Sequence, residues 1–421
     1  MTISPQPHSQ QTFTRPGLTL THILPALTVL IILISTAIYA DRNATTYENN
    51  YGVILSQQLN PDSAISTVVQ QAAFRRSDLL PVYGSSEIYL TITPYRAFYF
   101  FDYHPTGFEV FDVARKATTS LIMAQDLASV GPLIKGKKVV ISFTPSMFTA
   151  PQVASDAYAN NFSRIYANGL AFSTSLSMDI KQRAAIRMLD YPDTLETDPV
   201  LKFAIQNLAA NTPISNVFYD LIFPLGQLDN SILRLQDHYS IWTASQKQPF
   251  KTKRVKPAGR KINWKAELVD AEAVQKQNTT SNPYGIDNDT WVNHPHIGGF
   301  QLRSPGTQDQ IFLNNLKTSK EWEDFSILLE VLKELGAKPL LLSRPINGAT
   351  YTAAGISPKA QPVYYGLLQK AVEPYKFPVV DFRNHTNDLY FSVDFASHTS
   401  GKGWLYVDQT LDAFYHDRLG K

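Results

Sequence analysis

Residues 318–343, TSKEWEDFSILLEVLKELGAKPLLLS, decide the fold. Trp322, Phe325, Leu328, Leu329, Leu332 and Leu335 recur at steps of three and four, the spacing of one helical face. Thr318 and Glu321 have the spacing of a capping box at the start of that helix, and Gly336 provides its stop. The pattern then changes to a short, unbroken apolar run, AKPLLLS (337–343), which suits a central strand of a parallel sheet covered on both faces. A helix feeding directly into such a strand is half of an α/β unit.

The same alternation continues on either side. SPKAQPVYYGLLQKAVEPY (357–375) reads as a second helix and FPVVDF (377–382) as a second strand, while LLPVYG (79–84) and KKVVISFT (137–144) are further apolar runs of strand length. The expected fold class is α/β: a doubly wound, mainly parallel sheet over residues 79–421, closed by a helix at roughly 403–418 with Trp404, Val407, Leu411 and Phe414 on one face. Residues 149–310 differ, with helical patterns at 155–168, 195–211 and 214–240, and read as a helical insertion after the 137–144 strand. No repeat of fixed period is present.

The chain has 421 residues, 44% of them hydrophobic, enough for a substantial core rather than a disordered chain. It has no cysteine, which excludes disulfides, thiolate metal ligands and a cysteine nucleophile. A net charge of +2, with no zinc-finger spacing or phosphate-binding glycine loop, argues against nucleic-acid binding over the whole surface. Charge is concentrated locally: residues 247–265 contain eight Lys or Arg and no acid. That stretch is either a solvated loop or a contact for an anionic polymer or membrane surface.

Residues 18–40, LTLTHILPALTVLIILISTAIYA, form an almost uncharged run whose helical length, about 34 Å, is enough to span a bilayer. The run is longer than the apolar core of a signal peptide, so the expectation is an uncleaved anchor after a short arm (1–17) and before a helical connector (41–78). Arg15 in the arm, weighed against Arg42 beside Asp41, places the remaining chain outside the cytoplasm.

Reactive groups of an open parallel sheet gather at the carboxyl ends of its strands. Gly84-Ser85-Ser86-Glu87 sits at such an end, where a serine at a helix start is either a cap or a nucleophile. A nucleophilic serine needs a base and an orienting group. His104, His294, His296 and His385 lie in loops and read as surface histidines. His398, in YFSVDFASHTSGKGW (390–404), follows the last strand and has Asp394 just upstream.

Taken together, several stretches resemble the DltD family of D-alanyl-lipoteichoic acid synthesis, whose soluble domain is SGNH-hydrolase-like. They are the single anchor, GSSE (84–87), GKKVVISFTPSMF (136–148), SNPYGID (281–287), SRPINGATYTAAG (343–355) and YFSVDFASHTSGKGW (390–404). The resemblance runs almost end to end. It implies a serine-dependent D-alanyl transferase with Ser86 as nucleophile, His398 as base and Asp394 orienting the imidazole.

The family's aspartate usually stands three residues before the histidine, where this chain has Phe395. Asp394 is four before, so a bulge at 395–397 is expected, with Asp381 or a backbone carbonyl as the alternative orienting group. FDVARKATTSL (111–121) lacks the family's glycine, leaving the Ser86 N–H as the one oxyanion donor named, and Asn347 reads as a turn residue. The resemblance implies no cofactor and no metal. Its implied partners are lipoteichoic acid, the membrane, a membrane O-acyltransferase and the D-alanyl carrier protein. Recruitment of those proteins without chemistry, and plain esterase or thioesterase activity, remain alternative readings.

Overall fold

The computed structural model describes residues 20–58, 66–90, 93–246, 255–293, 300–395 and 398–420. Five strands, β1 (Leu79–Gly84), β2 (Glu109–Ala114), β3 (Lys138–Phe143), β4 (Lys338–Ser343) and β5 (Val379–Val380), form one sheet in the order β2-β1-β3-β4-β5. Every pairing is parallel; Leu79 to Gly84 run beside Glu109 to Ala114, and Lys138 to Phe143 beside Lys338 to Ser343. Such pairing requires crossovers, and helices supply them.

Successive strand residues enter different cores, which is why the runs are apolar throughout. Tyr83, Val139, Ile141 and Leu341 join one cluster with residues of helices Thr67–Arg75, Ser120–Val130 and Glu321–Glu334. Leu80, Val82, Val140, Leu340 and Leu342 join the other, against Trp404, Leu405, Val407 and Leu411 of the closing helix Gly401–Tyr415. Ser400 caps that helix by accepting the Gly403 N–H at 3.0 Å.

The deciding helix forms as Glu321–Glu334, with Phe325, Leu328, Leu329 and Leu332 buried and Gly336 at φ +69° after its end. Its capping box does not form. Thr318 ends the preceding helix, Asp309–Thr318, and its hydroxyl donates to the Asn314 carbonyl at 2.9 Å. Glu321 instead accepts the Ser120 N–H at 2.8 Å. A second difference is β2, which sequence reading passed over: at this edge strand Glu109 and Asp112 interrupt the apolar run, and Asp112 is neutralised by Arg96 at 2.9 Å.

Between β3 and β4 the chain is predominantly helical. Helices Arg164–Ala171, Met178–Met188 and Pro199–Ala210 bury Leu170, Ile180, Ala184, Leu201 and Ile205 in the same cluster as Val139 and Ile141, so they extend the sheet's own core. Helix Pro213–Gln246 follows. Its inner face holds Tyr219, whose hydroxyl donates to the Ala171 carbonyl at 2.7 Å, and Gly226, where a Cβ would meet the Phe172 ring at 2.2 Å. Its outer face exposes Ile214, Val217, Phe218, Leu221, Leu225, Leu228, Ile232, Leu235, Tyr239 and Trp242.

Helix Leu20–Gln58 runs through the first part of the expected connector. It is held to the 213–246 helix by Asp41 with Arg234 (3.4 Å) and by Glu48 with His238 (2.6 Å). The anchor expected at 18–40 falls in part outside the described residues, and among the described residues no helix is long and apolar enough to cross a membrane.

Candidate active site at the carboxyl edge of the sheet

β1 ends at Gly84, and Ser86 opens the one-turn helix Ser86–Tyr89. A Cβ on Gly84 would lie 2.4 Å from Ile88 Cδ1 and 2.6 Å from Glu87 Oε1, so the turn needs glycine for space. The two serines then diverge. The Ser85 N–H donates to both carboxylate oxygens of buried Glu87 (3.1 and 3.2 Å), and its hydroxyl donates to the Arg115 carbonyl at 3.2 Å. Ser86 Oγ lies 2.8 Å from His398 Nε2.

Behind the imidazole stands Asp394. Its Oδ1 accepts the His398 backbone N–H at 3.0 Å and its Oδ2 bonds Nδ1, fixing the tautomer that leaves Nε2 free to accept from Ser86. The four-residue spacing works because the loop folds back on itself: the Val393 N–H donates to the His398 carbonyl at 2.8 Å, and Ser392 pairs antiparallel with Thr399. Phe395, which stands where the family's aspartate was expected, stacks on Phe300 with centroids 3.8 Å apart and pins the loop from outside. Ala396 and Ser397, within the expected bulge, lie outside the described residues. Asp381 does not orient the ring; it is paired with Arg383.

The other histidines go elsewhere. His104 stacks on Phe100 at 4.7 Å and His385 faces Asp388 at 3.5 Å, while His294 and His296 lie outside the described residues. Asn347 is a turn residue, capping helix Gly348–Ala353 by accepting the Thr350 N–H at 3.3 Å.

Ser86 and His398 open onto a cleft of about 940 Å³. One wall carries Thr118, Thr119, Thr144 and Ser146, and another carries Asp287 and Asp289. The Asp287 N–H donates to the Val393 carbonyl at 2.8 Å, tying that wall to the histidine loop. Ala117 also lines the cleft, with φ +60° in the left-handed region that an alanine adopts only under constraint. The constraint is Asn161, buried, which donates to the Lys116 carbonyl (3.0 Å) and accepts from the Thr118 hydroxyl (3.1 Å). This is the segment in which a glycine was expected.

Electrostatics converge on His398. Burial draws its pKa down, but the Asp394 hydrogen bond and charge, with a smaller contribution from Glu87, outweigh burial and the opposing Arg344, so the net shift is upward. Arg344, at the end of β4, is fully buried over the Trp404 ring at 5.0 Å; burial pushes it down to about 10 against the raising influence of Glu87, Asp408 and Asp112. Glu321 lines the cleft floor, raised well above the carboxylate range by burial and by Asp324. Glu87, Ala117, Arg344 and Glu321 were all missed from sequence. A lone buried charge after a strand and an alanine in a loop carry no local signal.

A parallel sheet with a Ser–His–Asp line at its carboxyl edge defines an α/β protein with the side-chain geometry of serine esterases and acyltransferases. Residues 56–416 match the family described as DltD protein. The chain is 27% identical over 359 residues to Protein DltD of Bacillus subtilis (strain 168), covering 85% of this chain and 87% of that one. It is 25% identical over 370 residues to Protein DltD of Staphylococcus aureus (strain NCTC 8325 / PS 47), covering 88% of each. The chain belongs to the DltD family of lipoteichoic acid D-alanylation.

Proposed function

We propose that this protein is a membrane-anchored, extracytoplasmic serine acyltransferase with an SGNH-like catalytic domain, which moves D-alanyl groups onto lipoteichoic acid through a D-alanyl-Ser86 ester. The observation that carries the reading is the 2.8 Å contact between His398 Nε2 and Ser86 Oγ, with Asp394 on the far ring nitrogen. In the first half-reaction Ser86 Oγ attacks the acyl carbonyl as its proton passes to Nε2, and the donor's leaving group departs with that proton. In the second, a hydroxyl of the polyol-phosphate chain gives its proton to Nε2 and attacks the ester carbonyl, and that proton passes from Nε2 to the departing Ser86 Oγ.

The oxyanion formed in each half-reaction needs donors aimed at one point. The N–H groups of Ser86 and Ala117, on two loops that both line the cleft, are the candidates. The carboxylates of Asp287 and Asp289 supply acceptors for the ammonium of a D-alanyl group, which a plain acyl ester would not need. Partners in this reading are the polymer, the membrane and the proteins that relay D-alanine, a membrane O-acyltransferase and the D-alanyl carrier protein among them. Lys247, Lys251, Lys253 and Arg254 of the basic stretch lie outside the described residues; among the described ones Lys256 is engaged by Asp102 at 2.9 Å, and exposed Arg260, Lys261 and Lys265 are candidate contacts for the polyanion.

The test is product analysis with isotopically labelled D-alanine, together with a serine-reactive fluorophosphonate. Labelled ester on the polymer, and probe attachment that depends on Ser86, are expected. Free D-alanine as the sole product would make the protein a hydrolase. A Ser86→Ala variant that is fully active would make it a recruiter.

A further inference from the structure

The apolar face of the 213–246 helix is long, nearly free of charge and rigidly presented. From Ile214 to Trp242 it spans about 42 Å at 1.5 Å per residue. Among its exposed residues over that span, Asp220 carries the one charge. The inner face is fixed by Gly226 against Phe172 and by the Tyr219 bond to Ala171, so the stripe cannot rotate inward. Exposed apolar surface on this scale marks an interaction site.

Three observations identify what covers it. First, the C-terminal turns of the helix sit on the chain where the apolar 18–40 run ends: Asp41 bonds Arg234 at 3.4 Å and His238 at 3.1 Å, and a cleft of about 430 Å³ between the two helices is lined by Ala40, Tyr47, Leu235, Tyr239 and Trp242. Leu24, Ile31, Ile32 and Ile38 of the first helix are themselves exposed, so one apolar surface continues into the other. Second, the junction is aromatic: the exposed rings of Tyr239 and Trp242 lie 6.0 Å apart, and Tyr39, next to Ala40 of the cleft, is exposed as well, the side chains that favour a membrane–water boundary. Third, the charges beside the stripe are engaged within the chain, Arg234 by Asp41 and Asp229 by Arg164, which leaves Asp220 where a self-pairing coiled coil would carry a series of register-setting charges, and Phe203 of a neighbouring helix, 6.2 Å from Phe218, broadens the stripe beyond a seam.

We propose that the outer face of the 213–246 helix lies in the headgroup–acyl boundary of the bilayer, a second membrane contact that holds the domain at a fixed tilt beside its anchor. The inference rests on the anchor reading given above. A single anchor alone leaves a domain free to swing, whereas two contacts orient its cleft relative to a lipid-linked polymer.

The absence of native cysteine allows a direct test. Full-length variants Leu221→Cys, Leu228→Cys and Ile232→Cys, each carrying a nitroxide, are placed in phosphatidylglycerol nanodiscs, with exposed Lys359→Cys, outside the helix and its apolar surface, as the aqueous reference. Collision with oxygen and with a water-soluble nickel chelate is then measured. Oxygen should exceed nickel accessibility several-fold at the three helix positions relative to Lys359→Cys. Equal ratios at all four positions would overturn the proposal, as would spin–spin broadening between copies, which would assign the face to a second chain. An Ile31→Cys label reports the anchor separately: lipid exposure there with water exposure on the helix defeats the helix proposal alone, and water exposure at Ile31 defeats the anchor reading.

Discussion

His398 Nε2 and Ser86 Oγ lie 2.8 Å apart although 312 residues separate them in the chain. Ser85, the adjacent residue, has its hydroxyl on the Arg115 carbonyl instead. Ser86→Ala should therefore lower transfer by roughly four to six orders of magnitude, the range seen when a serine nucleophile is removed. Ser85→Ala should retain most activity, because it loses one hydrogen bond worth about 1 kcal/mol. D-alanyl ester formation, with circular dichroism as the folding control, distinguishes them, and equal loss in two folded variants would reassign the nucleophile.

Asp394 holds His398 by two bonds, one to the ring and one to the backbone amide. Asp394→Asn leaves an acceptor for the amide but presents a donor or a weaker acceptor to Nδ1, so the proton is no longer confined to that nitrogen. Turnover should fall by about four orders of magnitude with little change in thermal stability. An Asp394→Asn enzyme within tenfold of the parent would reduce the mechanism to Ser86 and His398.

The upward shift of His398 sets the pH profile. A general base acts in its neutral form, so the acid limb of kcat/KM should lie above the ordinary histidine value of 6.5. Glu87 contributes to that shift, and Glu87→Gln should move the limb toward lower pH. Folding follows the opposite sense. A raised histidine pKa adds stability that is fully present below the unfolded-state value and is lost as pH rises through the folded-state value. A limb below 6.5 in the parent would mean that Asp394 and Glu87 do not govern the ring.

What could be read from sequence was what is local. The periodicity of Phe325, Leu328, Leu329 and Leu332 lies within one helix and survives any packing, and the runs at β1, β3 and β4 are apolar because both faces are covered. The strand at Glu109–Ala114 escaped because an edge position tolerates Glu109 and Asp112, and β5 shrank to Val379–Val380 from the six residues expected. Glu321 looked like a cap because its spacing from Thr318 is local, whereas the amide it satisfies belongs to Ser120, 201 residues away. Ser86, Asp394 and His398 emerged from their place at strand ends together with the family resemblance. The resemblance marked 111–121 as lacking the family's glycine but did not single out Ala117, whose distinguishing property is a backbone angle.

Ala117 is held at φ +60° by Asn161 and lines the cleft, within the 111–121 segment in which the family's glycine was expected. A left-handed alanine costs roughly 1–2 kcal/mol, and glycine relieves this while adding about 0.5–1 kcal/mol of unfolded-chain entropy to overcome. Ala117→Gly should therefore stabilise the protein by up to about 1 kcal/mol in denaturant titration and leave transfer near the parent rate, since the N–H is retained. Asn161→Ala removes the clamp without touching either loop's backbone donors. If the Ala117 N–H stabilises the oxyanion, that variant should lose kcat with little change in KM, and Ala117→Gly in the same background should not restore it, because glycine does not impose the turn that Asn161 enforces. A loss of kcat by Asn161→Ala that Ala117→Gly repairs would make backbone strain, and not donor placement, the reason for the clamp. An unchanged kcat in folded Asn161→Ala would remove Ala117 from the oxyanion site.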